Sequence, residues 1–224
     1  MTDRNKNEGS SVPRVCLPQI GAKAPEFTAQ TTFGIKKLSD YRGKWLVFFS
    51  HPGDFTPVCT TEFISFAKNY KAFKQRNTNL LGLSIDSNPS HLAWVFNIQQ
   101  NTGIEIPFPI IADRDGSIAR LYGMISAAES TTKTVRTVFI IDPDGIIRAI
   151  LYYPLSVGRY IPEILRMIDA LQTVDRENVV TPANWKVGDP VIVIPPQTYA
   201  ELIKRVNDPG GLKCIDWYLC YRDL

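Results

Sequence analysis

An uninterrupted apolar run that ends in a serine, Trp45–Ser50 (WLVFFS), most constrains how this chain can fold. A strand that is apolar at successive rather than alternate positions is typical of a sheet buried on both faces. After Thr56, aromatic and small apolar residues recur at helical spacing, which predicts an amphipathic helix. Because a buried strand followed by a helix is the building unit of α/β proteins, the sequence predicts an α/β sandwich.

Strand and helix signals continue to alternate as far as residue 171. The predicted elements are strands over residues 80–86 and 108–112, helices over 89–100 and 117–122, β-rich runs over 135–141 and 146–152, and an amphipathic helix over 160–171. The sequence Asp142-Pro143-Asp144-Gly145 lies between the two β-rich runs and is typical of a hairpin turn. This order predicts a mixed sheet with helices on both faces and an antiparallel hairpin at one side.

The pattern changes after residue 174. Proline and glycine interrupt the tail, and only one short helix is predicted there, over residues 199–206. We therefore predict a larger domain over residues 1–174 and a smaller C-terminal domain or arm over residues 175–224.

Composition and charge exclude several classes of function. Hydrophobic residues make up 44% of the 224 residues and charged residues 21%, as in a globular protein with a sizeable core. The net charge is only +3, and no long charged run indicates a nucleic acid or an anionic membrane as a partner. Residues 1–12 are polar, unlike a secretory signal, and the apolar runs are too short to cross a bilayer. We therefore expect a cytoplasmic protein.

The cysteines are few and widely spaced. The four are Cys16, Cys59, Cys214 and Cys220. Without a C-x-x-C pair or an export signal, such cysteines are more often catalytic, redox-active or buried than part of a disulfide framework. A structural metal site needs about four Cys or His ligands, and only His51 and His91 could join these scattered cysteines. We therefore predict no metal site and no cofactor.

Cys59 ends the segment HPGDFTPVC (residues 51–59), which joins the buried strand to the first helix, where α/β folds place their chemistry. Thr56 is a suitable N-cap and Pro57 suits the first helical position, so Cys59 is predicted in the first turn. Free backbone N–H groups and the positive end of the helix dipole stabilise an anion there, and the thiolate is the reactive form of cysteine. The alternative is a buried cysteine that acts only as a small hydrophobic residue.

Two arginines could supply a cation for this thiolate. Arg136 lies on a predicted core strand between Val135 and Val138, where a guanidinium is costly to bury unless it is paired or faces a site. The alternative is an arginine at a strand edge that faces solvent. Arg159, at the start of the last long helix, is the second candidate, and its alternative is a solvated surface position.

The pattern Pro52-x-x-x-Thr56-x-x-Cys59 is similar to the P-x-x-x-T/S-x-x-C signature of peroxiredoxins. The longer segment over residues 50–62 resembles their one-Cys, or Prx6-like, subgroup. The resemblance covers nearly the whole chain and includes the segments FTAQTT, IDPDG, YYP and WKVGDP. It implies a thioredoxin-like fold and a thiol peroxidase.

The resemblance also implies a role for each residue of the motif. Cys59 would be the peroxidatic cysteine, which attacks the peroxide and becomes a sulfenic acid, the first and reversible stage of cysteine oxidation. Thr56 would hydrogen-bond the thiolate and the peroxide, while Arg136 would hold the thiolate charged and polarise the O–O bond. Pro52 would shield the site from water. The supporting polar groups implied by the resemblance are His51, Glu62 and Arg159.

Two cysteines near the C-terminus depart from the one-Cys subgroup. Similar tails occur in prokaryotic relatives, where a C-terminal cysteine resolves the sulfenic acid of a neighbouring subunit. The resemblance therefore implies that Cys220, or as a second choice Cys214, forms an intersubunit disulfide with Cys59. Aromatic residues around Cys220 indicate a docked segment, which would have to unfold locally before two sulfur atoms could meet. The alternative is a Cys214–Cys220 pair or two inert thiols, and Cys16 is given no role.

The resemblance implies hydrogen peroxide and organic hydroperoxides as substrates, in antioxidant defence. It implies a thioredoxin-like protein or a small thiol as reductant. It also implies a homo-oligomer, a dimer that assembles into a decameric ring of five dimers.

Three other functions compete with a peroxidase. A thioredoxin-type dithiol oxidoreductase would need a C-x-x-C pair, which is missing. A lipase-like hydrolase would need the serine of a G-x-S-x-G elbow, but the matching segment reads RGKWL (residues 42–46). An oligomeric holdase or scaffold stays open, and peroxide turnover decides between it and an enzyme.

Overall fold

The computed structural model describes residues 17–224, so Cys16 lies outside the described residues. The strands are β1 Thr28–Thr31, β2 Gly34–Lys37, β3 Trp45–Ser50, β4 Thr78–Ser84, β5 Ile110–Ala112, β6 Arg136–Ile141, β7 Ile147–Tyr153, β8 Val179–Val180, β9 Val191–Val193, β10 Lys213–Asp216 and β11 Leu219–Arg222. The α-helices are α1 Pro57–Lys68, α2 Tyr70–Gln75, α3 Asn88–Thr102, α4 Ser117–Leu121, α5 Ile161–Glu177 and α6 Tyr199–Asn207, and a 3-10 turn covers Leu38–Tyr41. Within the described range, no helix has the length and apolar composition needed to span a membrane.

Seven strands form the main sheet, in the order β2-β1-β5-β4-β3-β6-β7. β3 lies inside this sheet, parallel to β4 and antiparallel to β6. β6 and β7 form the antiparallel hairpin predicted around residues 142–145. The predicted mixed sheet and hairpin are therefore confirmed. Because β6 is antiparallel to β3, the first residue of β6 lies at the same end of the sheet as the last residue of β3.

Both faces of the sheet are covered, which explains the apolar run of β3. Val47 and Phe49 pack with side chains of α1, α3 and α5 on one face. Leu46 and Phe48 pack on the other face with α4 and with residues that precede β1. All six residues of β3 are buried, because successive side chains of a strand enter opposite cores.

A second sheet of four strands follows α5, in the order β10-β11-β9-β8. The sequence did not predict these strands. The second sheet is joined to α5 by a small apolar cluster of Ala170, Val179, Trp185 and Val191. α5 continues to Glu177, beyond the helix predicted over 160–171, so the predicted boundary at residue 174 falls within this helix. The division into two domains stays a prediction.

Candidate active site

Cys59 lies in the first turn of α1, where the sequence predicts it, and its side chain is fully buried. α1 begins at Pro57, and Thr56 has the extended backbone of an N-cap residue. The loop over residues 51–56 connects this helix to the end of β3. The sulfur atom therefore lies near the positive end of α1 and inside the apolar core, where an uncompensated charge is costly.

Arg136, the first residue of β6, supplies a cation to Cys59. Its Nη1 donates to Cys59 Sγ at 3.3 Å and to Glu62 Oε2 at 2.8 Å. Its Nε and Nη2 donate to the carbonyl oxygen of Leu155, at 3.0 and 2.8 Å. The residue is only 3% exposed, so the alternative of a solvent-facing arginine is wrong. Four hydrogen bonds fix the guanidinium and direct one N–H group at the sulfur.

Arg159 is buried beside the same carboxylate, so its alternative, a solvated surface position, is also wrong. Its Nε and Nη2 donate to Glu62 Oε1 and Oε2 at 2.8 and 2.7 Å. Its Nη1 donates to the carbonyl oxygens of Ser50 and Thr137, both at 2.9 Å. Burial alone would raise the pKa of Glu62, but Arg159 and Arg136 together hold it below its ordinary value. Glu62 is thus a carboxylate shared by two guanidinium groups.

The charges of this cluster leave a place for an anion. Arg136 and Arg159 carry two positive charges, and Glu62 carries one negative charge. These three described residues therefore carry one net positive charge next to Cys59, a place that suits an anion. The arrangement can hold a cysteine thiolate in a dry site, which is what a nucleophilic thiol requires.

Thr56 occupies the predicted N-cap position, but its hydroxyl does not cap the helix. The hydroxyl donates to the carbonyl oxygen of Gly53 at 2.8 Å. The N–H groups of the first turn of α1 are therefore not taken up by this side chain and can face an anion. The hydrogen bond from Thr56 to the thiolate and the peroxide stays a prediction.

The loop before Thr56 buries Pro52 and His51. Pro52 is the first residue of the Pro52-x-x-x-Thr56-x-x-Cys59 motif and is buried, and its role as a water shield stays a prediction. His51 is fully buried, with Nε2 placed 3.0 Å from Asp54 Oδ1. Burial lowers the pKa of His51, and its Nδ1 has no hydrogen-bond partner among the described residues.

The fold brings together three potential metal ligands that are scattered in the sequence. One ligand atom each of His51, Asp54 and His91 lies within 4.8 Å of the others. The sequence showed no local ligand spacing here, because His91 belongs to α3. The nitrogen–oxygen distances of 2.8 to 3.0 Å are those of hydrogen bonds. Asp54 and His91 were not predicted as site residues; Asp54 lies inside the motif, but no sequence signal singles out His91.

The two C-terminal cysteines are joined to each other. Cys214 and Cys220 pair across β10 and β11 and form a disulfide, while Cys59 is a free thiol. This is the alternative pairing that the sequence left open. In this state Cys220 has no free thiol, so it cannot attack oxidised Cys59 until the Cys214–Cys220 bond is reduced.

Comparison with known proteins shows the family. Residues 20–150 match the model of the AhpC/TSA family, and residues 170–208 match the C-terminal domain of 1-Cys peroxiredoxin. Peroxiredoxin 2 of Caldanaerobacter subterraneus subsp. tengcongensis is 66% identical over 212 residues, which cover 95% of this chain and 96% of that relative. This chain belongs to the peroxiredoxin family. A peroxiredoxin of Aquifex aeolicus is 57% identical over 218 residues, covering 92% and 97% of the two chains.

Solved structures agree with this assignment. The yeast mitochondrial 1-Cys peroxiredoxin has a TM-score of 0.83 at 41% identity, over 93% of this chain and all of its own. A mutant of peroxiredoxin 6 from Arenicola marina has a TM-score of 0.82 at 36% identity, over 92% of this chain and 97% of its own. The protein is therefore a thiol-dependent peroxidase with a thioredoxin-like peroxiredoxin fold, which confirms the family, the fold class and the enzyme class implied by the motif.

Proposed function

We propose that this peroxiredoxin reduces hydrogen peroxide and organic hydroperoxides with Cys59 as its nucleophile, in antioxidant defence. The proposal is carried by the hydrogen bond of 3.3 Å from Arg136 Nη1 to the buried Cys59 Sγ. A cation fixed at this distance favours the thiolate, which is the form that attacks a peroxide. A merely structural buried cysteine would not need a buried guanidinium directed at its sulfur.

In the first step, the thiolate attacks one peroxide oxygen, so the S–O bond forms as the O–O bond breaks. Sulfur loses two electrons and becomes a sulfenic acid, while the leaving alkoxide or hydroxide takes up a proton and departs as alcohol or water. Arg136 and the N–H groups at the start of α1 would donate to the atoms that gain charge, and preorganised donors of this kind lower a barrier strongly. In this step Thr56 would turn its hydroxyl from Gly53 to the thiolate and the peroxide, and Pro52 would exclude water.

In the second step, Cys220 of a neighbouring subunit resolves the sulfenic acid. Its thiol attacks the sulfenic sulfur, water leaves, and a Cys59–Cys220 disulfide joins two chains. Cys214 then attacks Cys220 and releases the Cys59 thiolate, which would end the cycle in a Cys214–Cys220 disulfide like the one present here. Direct attack by Cys214 on oxidised Cys59 is the second choice. Ile215 and Tyr218 are 76% and 52% exposed, which supports a hairpin that docks on another subunit.

A thioredoxin-like protein or a small thiol would then reduce the disulfide. In support, the yeast mitochondrial relative has its thiol resolved via glutathione and thioredoxin systems. We also propose the cytoplasm as the compartment and a decameric ring of five dimers as the assembly. Cell fractionation tests the first point, and light scattering of the purified protein tests the second.

Mass spectrometry and non-reducing electrophoresis after an equimolar pulse of peroxide test the cycle. We expect Cys59→Ser to lose peroxide turnover. Cys214→Ser should accumulate a covalent dimer through Cys59 and Cys220, because the exchange that releases Cys59 is blocked. Cys220→Ser should form no such dimer and should accumulate sulfenic and sulfinic acid at Cys59.

Two outcomes would contradict different parts of the proposal, the nucleophile in one case and the resolving cysteine in the other. Peroxide turnover that survives in Cys59→Ser would remove Cys59 as the nucleophile. A covalent dimer through Cys59 in Cys220→Ser would leave the nucleophile in place but assign resolution to Cys214.

A further inference from the structure

His91 lies in the first turn of α3, outside the peroxidatic motif, yet its ring contacts the loop that leads to Cys59. The ring is fully buried. Its Nδ1 lies 3.0 and 2.8 Å from the two carboxylate oxygens of Asp54. Its Nε2 lies 3.1 Å from the carbonyl oxygen of Ile111. Nε2 therefore faces a carbonyl oxygen, which can only accept a hydrogen bond. Nδ1 faces a carboxylate, which also can only accept when Asp54 is ionised.

Asp54 is ionised although it is almost fully enclosed. Burial alone would raise its pKa, but hydrogen bonds from His51 and His91 hold the pKa well below its ordinary value of 3.8. His91 Nδ1 lies within hydrogen-bond distance of this carboxylate, and a proton on Nδ1 makes the contact a charge-assisted hydrogen bond in a dry environment. A ring nitrogen without a proton at this point would place two lone pairs against each other.

Asp54 is held from three sides. Its carboxylate accepts from His91 and from His51 Nε2, and its backbone N–H donates to Asp86 Oδ2 at 2.8 Å. Asp86 Oδ2 also lies 3.1 Å from the hydroxyl of Ser84 at the end of β4. Among these anchors, only His91 is carried by a helix, so it connects the loop to a rigid element.

The same face of α3 contacts α1. Trp94, one turn after His91, donates through Nε1 to the hydroxyl of Thr60 at 3.2 Å. The Trp94 ring stacks on the ring of His51, with centroids 5.1 Å apart. One turn of α3 therefore holds both the loop before Cys59 and the helical turn that contains it.

We propose that His91 is a positioning residue for peroxide reduction, which holds the carboxylate of Asp54 and thereby fixes the loop that delivers Cys59 to Arg136. The inference rests on the proposed role of Cys59 as the nucleophile. His91 acts through Asp54 and not by contact with the sulfur or the peroxide. Loss of the hydrogen bond between His91 and Asp54 should have two effects, one on the attack on peroxide and one on the fate of oxidised Cys59.

The first effect is slower attack on peroxide, because a misplacement of about 1 Å can cost about 100-fold in rate. The second is easier unwinding of the first turn of α1. Cys59 is fully buried, so this turn must open before its sulfur can reach another cysteine with the geometry of a disulfide. When the loop is held less firmly, more of the oxidised Cys59 should therefore form the disulfide, and less should be oxidised further to sulfinic acid.

The test compares His91→Leu and His91→Gln with the parent protein. Stopped-flow fluorescence gives the rate constant of Cys59 oxidation by hydrogen peroxide, and mass spectrometry gives the ratio of sulfinic acid to disulfide. We expect His91→Leu to lower the rate constant by about tenfold or more and to lower that ratio. His91→Gln keeps one N–H donor for Asp54 and should recover most of the rate, within about threefold of the parent.

Ile98→Val is the matched control, because Ile98 is a buried residue of α3 that packs in the core two turns beyond His91. It should lower the melting temperature without changing the rate constant or the product ratio.

If His91→Leu changes only the melting temperature, or if Ile98→Val reproduces both kinetic effects, the proposal is overturned. It is also overturned if a chelator slows the parent and Zn²⁺ restores it, since the three side chains would then hold a metal. Loss of turnover in Cys59→Ser in the same series separates a failure of this inference from a failure of the proposed nucleophile.

Discussion

Arg136 is the residue whose removal should most change the chemistry of Cys59. We expect Arg136→Gln to slow oxidation of Cys59 by hydrogen peroxide about 10- to 100-fold, since a hydrogen bond to a charged group contributes about 1.5 to 3 kcal/mol. Stopped-flow measurement of the second-order rate constant checks this. Arg76→Gln is the control, because Arg76 pairs with Asp169 at a partly exposed position outside the motif. Equal rate constants for parent and Arg136→Gln would contradict the assigned role.

Glu62 should control stability, because it is buried between two guanidinium groups. We expect Glu62→Gln to lower the free energy of unfolding at neutral pH by about 3 kcal/mol, since removing one partner leaves buried charge unpaired. Glu163→Gln is the matched control: Glu163 pairs with Arg166 at a more exposed site, and its loss should cost less than about 1 kcal/mol. Urea denaturation measures both values, and similar losses in the two variants would contradict the prediction.

The ionisation of Glu62 should make the free energy of unfolding depend on pH. Its pKa in the folded protein is held below the ordinary value of 4.5, so its contribution to stability is present above that value and is lost as the pH falls through the lower folded pKa. The free energy of unfolding of the parent should therefore decrease in acid, and Glu62→Gln should show a smaller decrease over the same pH range. Denaturation series at several pH values check this, and parallel pH curves for the two proteins would contradict it.

Among the elements, the β10–β11 hairpin depends most on a covalent bond. Every residue of β10 is exposed, so few apolar contacts hold the hairpin, and the Cys214–Cys220 disulfide closes it. We expect Cys214→Ser to speed amide hydrogen exchange in this hairpin about 30-fold, since a short disulfide loop contributes about 2 kcal/mol. Exchange followed by mass spectrometry checks this. Cys59→Ser also removes a cysteine but should leave exchange in the hairpin unchanged, and unchanged exchange in Cys214→Ser would show that the disulfide is dispensable there.

Helices and strands were predictable from the sequence where their apolar pattern was long and regular. β3 has the bounds predicted from its apolar run, and α3 and β6 were predicted to within about two residues at each end. The β1–β2 hairpin and the strands β8 to β11 were not predicted. These strands have two to four residues, and several are largely exposed, so they lack the periodic burial that makes a strand recognisable.

At the scale of the whole molecule, the proposed cycle needs two chains. In a mixture of Cys59→Ser and Cys220→Ser chains, one kind supplies the resolving cysteine and the other supplies the nucleophile. We expect turnover with a dithiol reductant to recover to about a quarter of the parent value after subunit exchange, because half of randomly paired dimers are mixed and each mixed dimer has one complete site. Each variant alone is the control, and a mixture no more active than its components would exclude resolution between subunits.

The sequence by itself determined the alternation of strands and helices from β3 to α5, the position of Cys59 in the first turn of a helix after Thr56 and Pro57, and the family. These are local properties, because caps, turns and apolar periodicity act over a few neighbouring residues. Only the tertiary structure decided that Arg159 is buried rather than solvated, that Glu62 is shared by two arginines, that Cys214 pairs with Cys220, and that His91 meets Asp54. Apart from the Cys214–Cys220 pair, whose members are six residues apart, those contacts join segments up to 109 residues apart, and the packing of helices on the sheet brings them together.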